Sequence, residues 1–262
     1  MPLIEFRSLN KSYTSRSGQT ASAVRDFDLK LDDGEFFCLL GPSGCGKTTV
    51  LALLAGFELP TAGEIVLDGV LIDRPSRDRG VVFQGDDSLY PWLTAIENIE
   101  FGLRLNKISR AERRRTAEEY LHLVGLRGQQ HKHPSELSGG MKQRIQIARA
   151  LANRPKMLLM DEPFGALDAQ TRDTMQQELR EIWRSSGISV FFITHDIDEA
   201  IVLGTRIGIM TAGPGGTLKE VVTVDLDKKR VRTDPSYGLL YEKIHSSIRE
   251  EVQRAALAMG AA

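Results

Sequence analysis

The stretch from Glu35 to Ala55 constrains this chain more than any other. It runs from Glu35-Phe36-Phe37-Cys38-Leu39-Leu40 through Gly41-Pro42-Ser43-Gly44-Cys45-Gly46-Lys47-Thr48 into Thr49-Val50-Leu51-Ala52-Leu53-Leu54-Ala55. The first piece has the length and apolarity of a buried strand, and the last has the character of a helix. The middle matches G-x-x-x-x-G-K-[ST], the phosphate-binding P-loop, in the strand–loop–helix setting that motif requires. Gly41, Gly44 and Gly46 let the backbone curl so that several N–H groups point at phosphate oxygens. The following helix start adds partial positive charge. In this motif Lys47 reaches the outer phosphates and Thr48 ligates Mg²⁺. A chance glycine-rich turn would explain the glycines but not their flanks.

Composition narrows the class. The 262 residues suit one large domain or two small ones, with ample core. The net charge of −1 gives no global argument for nucleic acid or an acidic membrane surface. The two cysteines, Cys38 and Cys45, fall in the strand and the loop, without disulfide or metal spacing, which suits a reducing cytosol. Met1 to Arg7 has no signal-peptide pattern, and no run approaches the ~18 apolar residues that span a bilayer. Work at a membrane would therefore be peripheral.

Along the chain, residues 3–7 and 27–31 alternate apolar and polar and read as strands, with Asp32-Asp33-Gly34 a turn. Lys11 to Ala23, rich in Ser, Thr and Gly, reads as a loop or hairpin tip. Residues 64–69 read as strand and turn, and Gly80 to Gln84 as a buried strand ending in a polar residue. From about Ser88 the character turns helical. Trp92 to Arg104 has helical spacing, and Ser109-Arg110-Ala111-Glu112 matches a capping box. The Arg113-Arg114-Arg115 cluster is mixed with acids and reads as a solvated face. Helices are expected over 141–151, 171–185 and 198–203, and strands over 157–160, 189–194, 206–211 and 217–226. Asp227 to Arg232 reads as a linker, and Ser236 to Met259 as one or more terminal helices.

Three expected strands end in polar groups: Gln84, Asp161-Glu162 and His195. Open parallel sheets bind ligands outside the carboxyl ends of their strands. Two acids directly after Met157-Leu158-Leu159-Met160 are costly unless partnered. Leu137-Ser138-Gly139-Gly140-Met141 opens another helix. With these residues in this order, the sequence resembles an ATP-binding subunit of an ABC transporter. Residues 137–141 resemble the signature motif and 158–162 the Walker B motif. Gln84 falls at the Q-loop, Asp168 in the D-loop and His195 at the switch histidine. The resemblance covers roughly residues 3–225.

The resemblance implies a fold and roles. The fold is α/β: a P-loop NTPase core with a mostly parallel sheet, an N-terminal antiparallel β subdomain and a helical subdomain inserted at about 88–150. The ATPase domain would span 1–235 and a helical tail 236–262. Tyr13 would stack on adenine, with Val24 beside it. Ser43, Gly44, Cys45, Gly46, Lys47, Thr48 and Thr49 would hold the phosphates. Thr48, Gln84 and Asp161 would surround Mg²⁺, Glu162 would polarise the attacking water, and His195 would stabilise charge on the γ-phosphate. Ser138, Gly139 and Gly140, with Asp168, would act across a head-to-tail dimer closed around two ATP molecules. Met141 departs from the commoner glutamine, and Gly165 stands where serine often precedes Ala-Leu-Asp.

Segments 78–84, 90–94, 162–168, 171–173 and 213–215 are most similar to importers of taurine, aliphatic sulfonates and nitrate. That implies two transmembrane permease subunits, an extracytoplasmic substrate-binding protein and a place on the cytoplasmic face of the inner membrane, with no nucleic acid. Leu89 to Leu93 are candidates for docking a permease. A soluble ABC ATPase that remodels a macromolecular assembly is the alternative. A nucleotide kinase would leave Ser138 to Gly140 and His195 without a role.

Overall fold

The first two strands show how far a polar sequence can be extended. In the computed structural model, which describes residues 2–83, 88–165, 167–226 and 230–260, they are β1 (Ile4–Thr14) and β2 (Thr20–Leu31). After them come β3 (Phe36–Leu40), α1 (Lys47–Ala55), β4 (Ala62–Leu67), β5 (Val70–Leu71) and β6 (Arg79–Val82). The middle of the chain holds α2 (Ala95–Leu105), α3 (Arg110–Leu123), α4 (Gly139–Ala152), β7 (Met157–Asp161) and α5 (Ala169–Ser186). The last elements are β8 (Ser189–Ile193), α6 (Ile197–Leu203), β9 (Arg206–Met210), β10 (Leu218–Thr223) and α7 (Pro235–Gly260).

Lys11 to Thr14 and Thr20 to Ala23 are therefore strand, not the loop their composition suggested; the turn is only 15–19. Tyr13 pairs with Ala21 and Thr14 with Thr20 in an antiparallel hairpin. These arms are mostly exposed, so they carry no apolar alternation, and their Thr residues suit a strand as well as a turn. Helix α2 starts at Ala95 rather than Trp92. The Glu97 carboxylate accepts from the Thr94 backbone N–H at 2.8 Å and from the Thr94 hydroxyl at 2.7 Å, which fixes the start. The Ser109 hydroxyl accepts the Glu112 N–H at 3.3 Å and opens α3 as expected.

The chain divides into two compact units, residues 1–76 with 189–262, and residues 77–188. The first holds an antiparallel sheet in the order β2-β1-β4-β5 and the strands β10-β9-β3-β8. There β3 runs parallel to both β8 and β9, while β10 is antiparallel to β9. Its core is aromatic: Phe6, Phe27, Phe36, Phe37, Phe191 and Phe192 are all buried. Phe191 lies 5.6 Å from Phe37 and 6.1 Å from Phe6 between ring centroids.

The terminal segment belongs to this unit and forms one helix. Tyr237, Ile244, Ser247 and Glu251 form its buried stripe. Lys219 reaches Glu251 at 3.0 Å and Glu250 at 3.1 Å, and the Tyr237 hydroxyl donates to Asp198 at 2.5 Å. Arg230 donates to the carbonyls of Ile201 and Gly204 at 2.6 Å each, closing the end of α6.

The second unit holds the parallel pair β6–β7 and helices α2 to α5. Among the described residues no helix is long and apolar enough to cross a membrane.

Two predictions follow from this packing. Phe191→Ala removes a fully buried ring and should lower unfolding stability by about 3–5 kcal/mol in a denaturant titration. The two Thr94 hydrogen bonds hold the Glu97 carboxyl below its ordinary 4.5. A depressed carboxyl contributes stability that is present above its unfolded value and lost as pH falls through the folded one. Glu97→Gln should therefore flatten the fall in melting temperature below about pH 4.5, and an unchanged slope would show that Glu97 carries none of it.

Candidate functional site

Helix starts carry unpaired N–H groups and a positive dipole end, and most of those in this protein are occupied by acids. Helix α5 is capped by Asp168 and α6 by Asp196. Glu97 and Glu112 sit in the first turns of α2 and α3, and Asp234 accepts the Ser236 N–H at the start of α7. Two helices differ. Helix α1 begins at Gly46 with no side-chain cap and no acid in its first turn. Helix α4 begins at Ser138, also with no acid in its first turn. These two starts are the ones electrostatically open to an anion.

The α1 start is shaped by its neighbours. Gly46 has φ 99°, and a Cβ there would meet the Ala23 carbonyl oxygen at 2.4 Å. A Cβ on Gly216 would meet the Cys45 carbonyl oxygen at 2.1 Å. The loop is thus clasped on both sides by backbone, and glycine permits the approach. Val24 is fully buried and packs behind Gly46. Cys45 is buried as well, and burial pushes its thiol up against the opposing pull of Lys47. Ser43, Gly44 and Thr48 are exposed and Thr49 is half-buried. The Lys47 side chain is buried, and its ammonium donates to the carbonyls of Gly41 at 2.6 Å and Pro42 at 3.0 Å. Neutral carbonyls hold the charge without cancelling it, so Lys47 remains available to a phosphate.

His195 belongs to the same unit. Strands β3 and β8 are parallel, with Leu39 opposite Ile193, so the P-loop and His195 leave the same end of neighbouring strands. The turn that carries the exposed His195 is fixed from below. The Thr194 hydroxyl donates to the buried Glu199 at 2.6 Å and accepts the Asp196 N–H at 3.0 Å. Glu199 was not singled out from the sequence; an acid on the inner face of a short helix was the available signal.

Tyr13 is 43% exposed, and its hydroxyl donates to Glu58 at 2.7 Å. Lys11 pairs with Glu58 at 3.0 Å and lies 5.0 Å from the Tyr13 ring centroid. Neither Lys11 nor Glu58 was expected from the sequence. The strand spacing of Lys11 and Tyr13, which places both on one face, is a signal for Lys11 alone.

In the second unit, Asp161 ends β7 and is half-buried. Glu162 follows at φ 43°, a left-handed conformation uncommon for a non-glycine residue. Such strain is held by surrounding structure and is frequent at functional positions. The Ser138 hydroxyl accepts the Met141 N–H at 3.3 Å. Asp168 accepts the Thr171 N–H at 3.0 Å and its hydroxyl at 2.7 Å, and these bonds hold its carboxyl below the usual range. A Cβ on Gly140 would lie 2.9 Å from the Thr171 methyl, so Thr171 joins the start of α4 to the cap of α5. Gln84 lies outside the described residues.

The stretch considered for docking divides by position. Leu89 is buried. Tyr90 packs 4.4 Å from Phe101, and its backbone is bonded twice by Asn98. Trp92 is 69% exposed. Leu93 lines a cavity of about 820 Å³ with Phe101, Arg104 and Arg110.

Comparison with known proteins agrees with this geometry. The family model described as ABC transporter matches residues 24–165. The nitrate import ATP-binding protein of Synechococcus elongatus is 45% identical over 90% of this chain and 88% of its own. The taurine import ATP-binding protein of Yersinia pestis is 44% identical over 93% and 95%. A dimeric ATP-binding cassette solved in a post-hydrolysis state with ADP and Pi superposes at TM-score 0.72, with 33% identity over 85% of this chain and 99% of that one. This chain belongs to the ABC transporter family and is one of its ATP-hydrolysing subunits.

Proposed function

We propose that this ATPase powers import of a small anion, a taurine-like sulfonate or nitrate, from the cytoplasmic face of the inner membrane. The substrate rests on likeness to the nitrate and taurine import proteins. The observation that carries the nucleotide chemistry is the pair of acid-free helix starts, α1 and α4.

In this reading Lys47 leaves the Gly41 and Pro42 carbonyls for the outer phosphates of ATP, and Ser43 to Thr49 donate to the remaining oxygens. Tyr13 takes the adenine, and Val24 supports the loop from behind. Thr48, Asp161 and Gln84 are hard oxygen donors, the kind Mg²⁺ prefers. When bound, Mg²⁺ neutralises phosphate charge. Glu162 accepts the proton of the attacking water, and His195 holds that water and the γ-phosphate in place. Ser138, Gly139 and Gly140 offer their anion site to ATP held by a second copy, with Asp168 at the same face. Two copies closing head to tail then drive a pair of permease subunits, which receive substrate from a binding protein.

The exposed Trp92 and the cavity beside Leu93 are the surface we assign to a permease. Because Tyr90 is packed, substitution there would test folding instead.

Glu162→Gln should bind ATP normally, slow hydrolysis by about 100-fold or more and accumulate a closed dimer on gel filtration with ATP. Wild-type turnover in that variant would mean another group is the base. Trp92→Ala should weaken co-purification with membrane subunits in mild detergent while ATP affinity stays within about twofold. Undiminished co-purification would remove Trp92 from the docking surface.

A further inference from the structure

Tyr13 stands one residue before the end of β1, on an exposed hairpin arm. An aromatic ring there has little to hold it. Its cross-strand partner is Ala21, whose methyl group fills little of the space beside the ring. The ring is nevertheless fixed at three points, one of them a hydrogen bond between its hydroxyl and the Thr49 side chain. Its hydroxyl donates to Glu58 at 2.7 Å, and Lys11, on the same strand face, lies 5.0 Å from its centroid. Lys11 is itself held, by the Glu58 carboxylate at 3.0 Å and the Leu59 carbonyl at 2.9 Å. Glu58 follows Gly56, the residue that ends α1, so the brace ties the hairpin to the helix that begins the phosphate site.

We propose that Glu58 and Lys11 are positioning residues for the nucleobase, fixing the Tyr13 ring so that a purine stacks on the face Lys11 does not cover. This rests on the reading that Tyr13 receives adenine. The brace itself lies outside the P-loop, since neither Glu58 nor Lys11 belongs to it; Thr49 meets the Tyr13 hydroxyl separately. The brace divides nucleotide affinity into a base-dependent part, which needs Glu58, and a phosphate-dependent part, which does not. Burial pushes the Glu58 carboxyl up, but the Tyr13 hydroxyl and Lys11 ammonium outweigh it and hold it below the usual range. The carboxylate therefore stays charged at neutral pH.

The test compares Mg-ATP with inorganic tripolyphosphate on the full-length protein, by calorimetry and by steady-state hydrolysis. Glu58→Ala should raise KM for ATP about three- to tenfold with kcat unchanged, and leave tripolyphosphate affinity within twofold. Glu58→Gln keeps an acceptor for the hydroxyl and should recover most of the loss. Tyr13→Phe removes the donor, and combining it with Glu58→Ala should be no more than about twofold worse than Glu58→Ala alone. Lys11→Met should raise KM in the same direction. Melting temperatures confirm that each variant is folded.

Three outcomes overturn the proposal. If Tyr13→Ala leaves ATP affinity unchanged, Tyr13 does not receive the base and the brace loses its purpose. If Tyr13→Ala weakens ATP binding but Glu58→Ala does not, the Tyr13 reading stands and the brace fails. If Glu58→Ala weakens ATP and tripolyphosphate equally, Glu58 supports the phosphate loop instead.

Discussion

A helix that begins on a left-handed glycine, with no side chain to receive its first N–H groups, sets the terms for the rest of the first unit. Exposed N–H groups can be left to water, but a loop curled around a phosphate position must also be held in that curl. Here the restraint is backbone against backbone, with Ala23 of β2 on one side and Gly216, just before β10, on the other. The bridge between Val24 and Gly216 links those two flanks directly. The antiparallel hairpin is thus more than an appendage to the nucleotide core. It supplies one wall of the loop through Ala23 and Val24, and it carries Tyr13, the residue we propose for the base.

The buried Lys47 ammonium shows how the loop tolerates charge before any phosphate arrives. Burying an ammonium without partners is expensive, and pairing it with a carboxylate would cancel the attraction it must later exert. Loop carbonyls avoid both problems. They satisfy the donor without placing a full negative charge beside it. His195 is kept ready by a comparable economy of means. The buried Glu199 takes the Thr194 hydroxyl, so the acid fixes the turn from within while the imidazole stays exposed.

Much of this was legible in the sequence, for identifiable reasons. The P-loop, the ends of β7 and β8 and the start of α4 are marked by side-chain types that physical chemistry restricts closely. The hairpin arms read as loop because none of their residues is buried, so they show no hydrophobic period. The start of α2 was written in Thr94 and Glu97, yet the apolar spacing from Trp92 masked it. Single-helix α7 was only half visible. Its buried stripe includes Ser247 and Glu251, which look like solvent-facing residues until their partners Glu220 and Lys219 are known. The Glu58 brace could not be read at all, since it joins positions 45 residues apart on different elements.

The two open helix starts also differ in a way that fits their assigned tasks. The α1 start has no side-chain cap hydrogen bond from Gly46 and no acid in its first turn, so an anion would meet no negative charge there. The α4 start has Ser138, whose hydroxyl oxygen accepts the Met141 N–H and still has its own hydrogen to donate. An Asp cap, as on α5 and α6, would satisfy the same N–H but place a negative charge against an incoming phosphate. Serine therefore satisfies the first turn of α4 without a charge and keeps one donor in reserve, as the proposed role across a dimer requires. The difference between Gly46 and Ser138 at otherwise similar acid-free helix starts fits the proposed order, the phosphate loop first and the partner's nucleotide second.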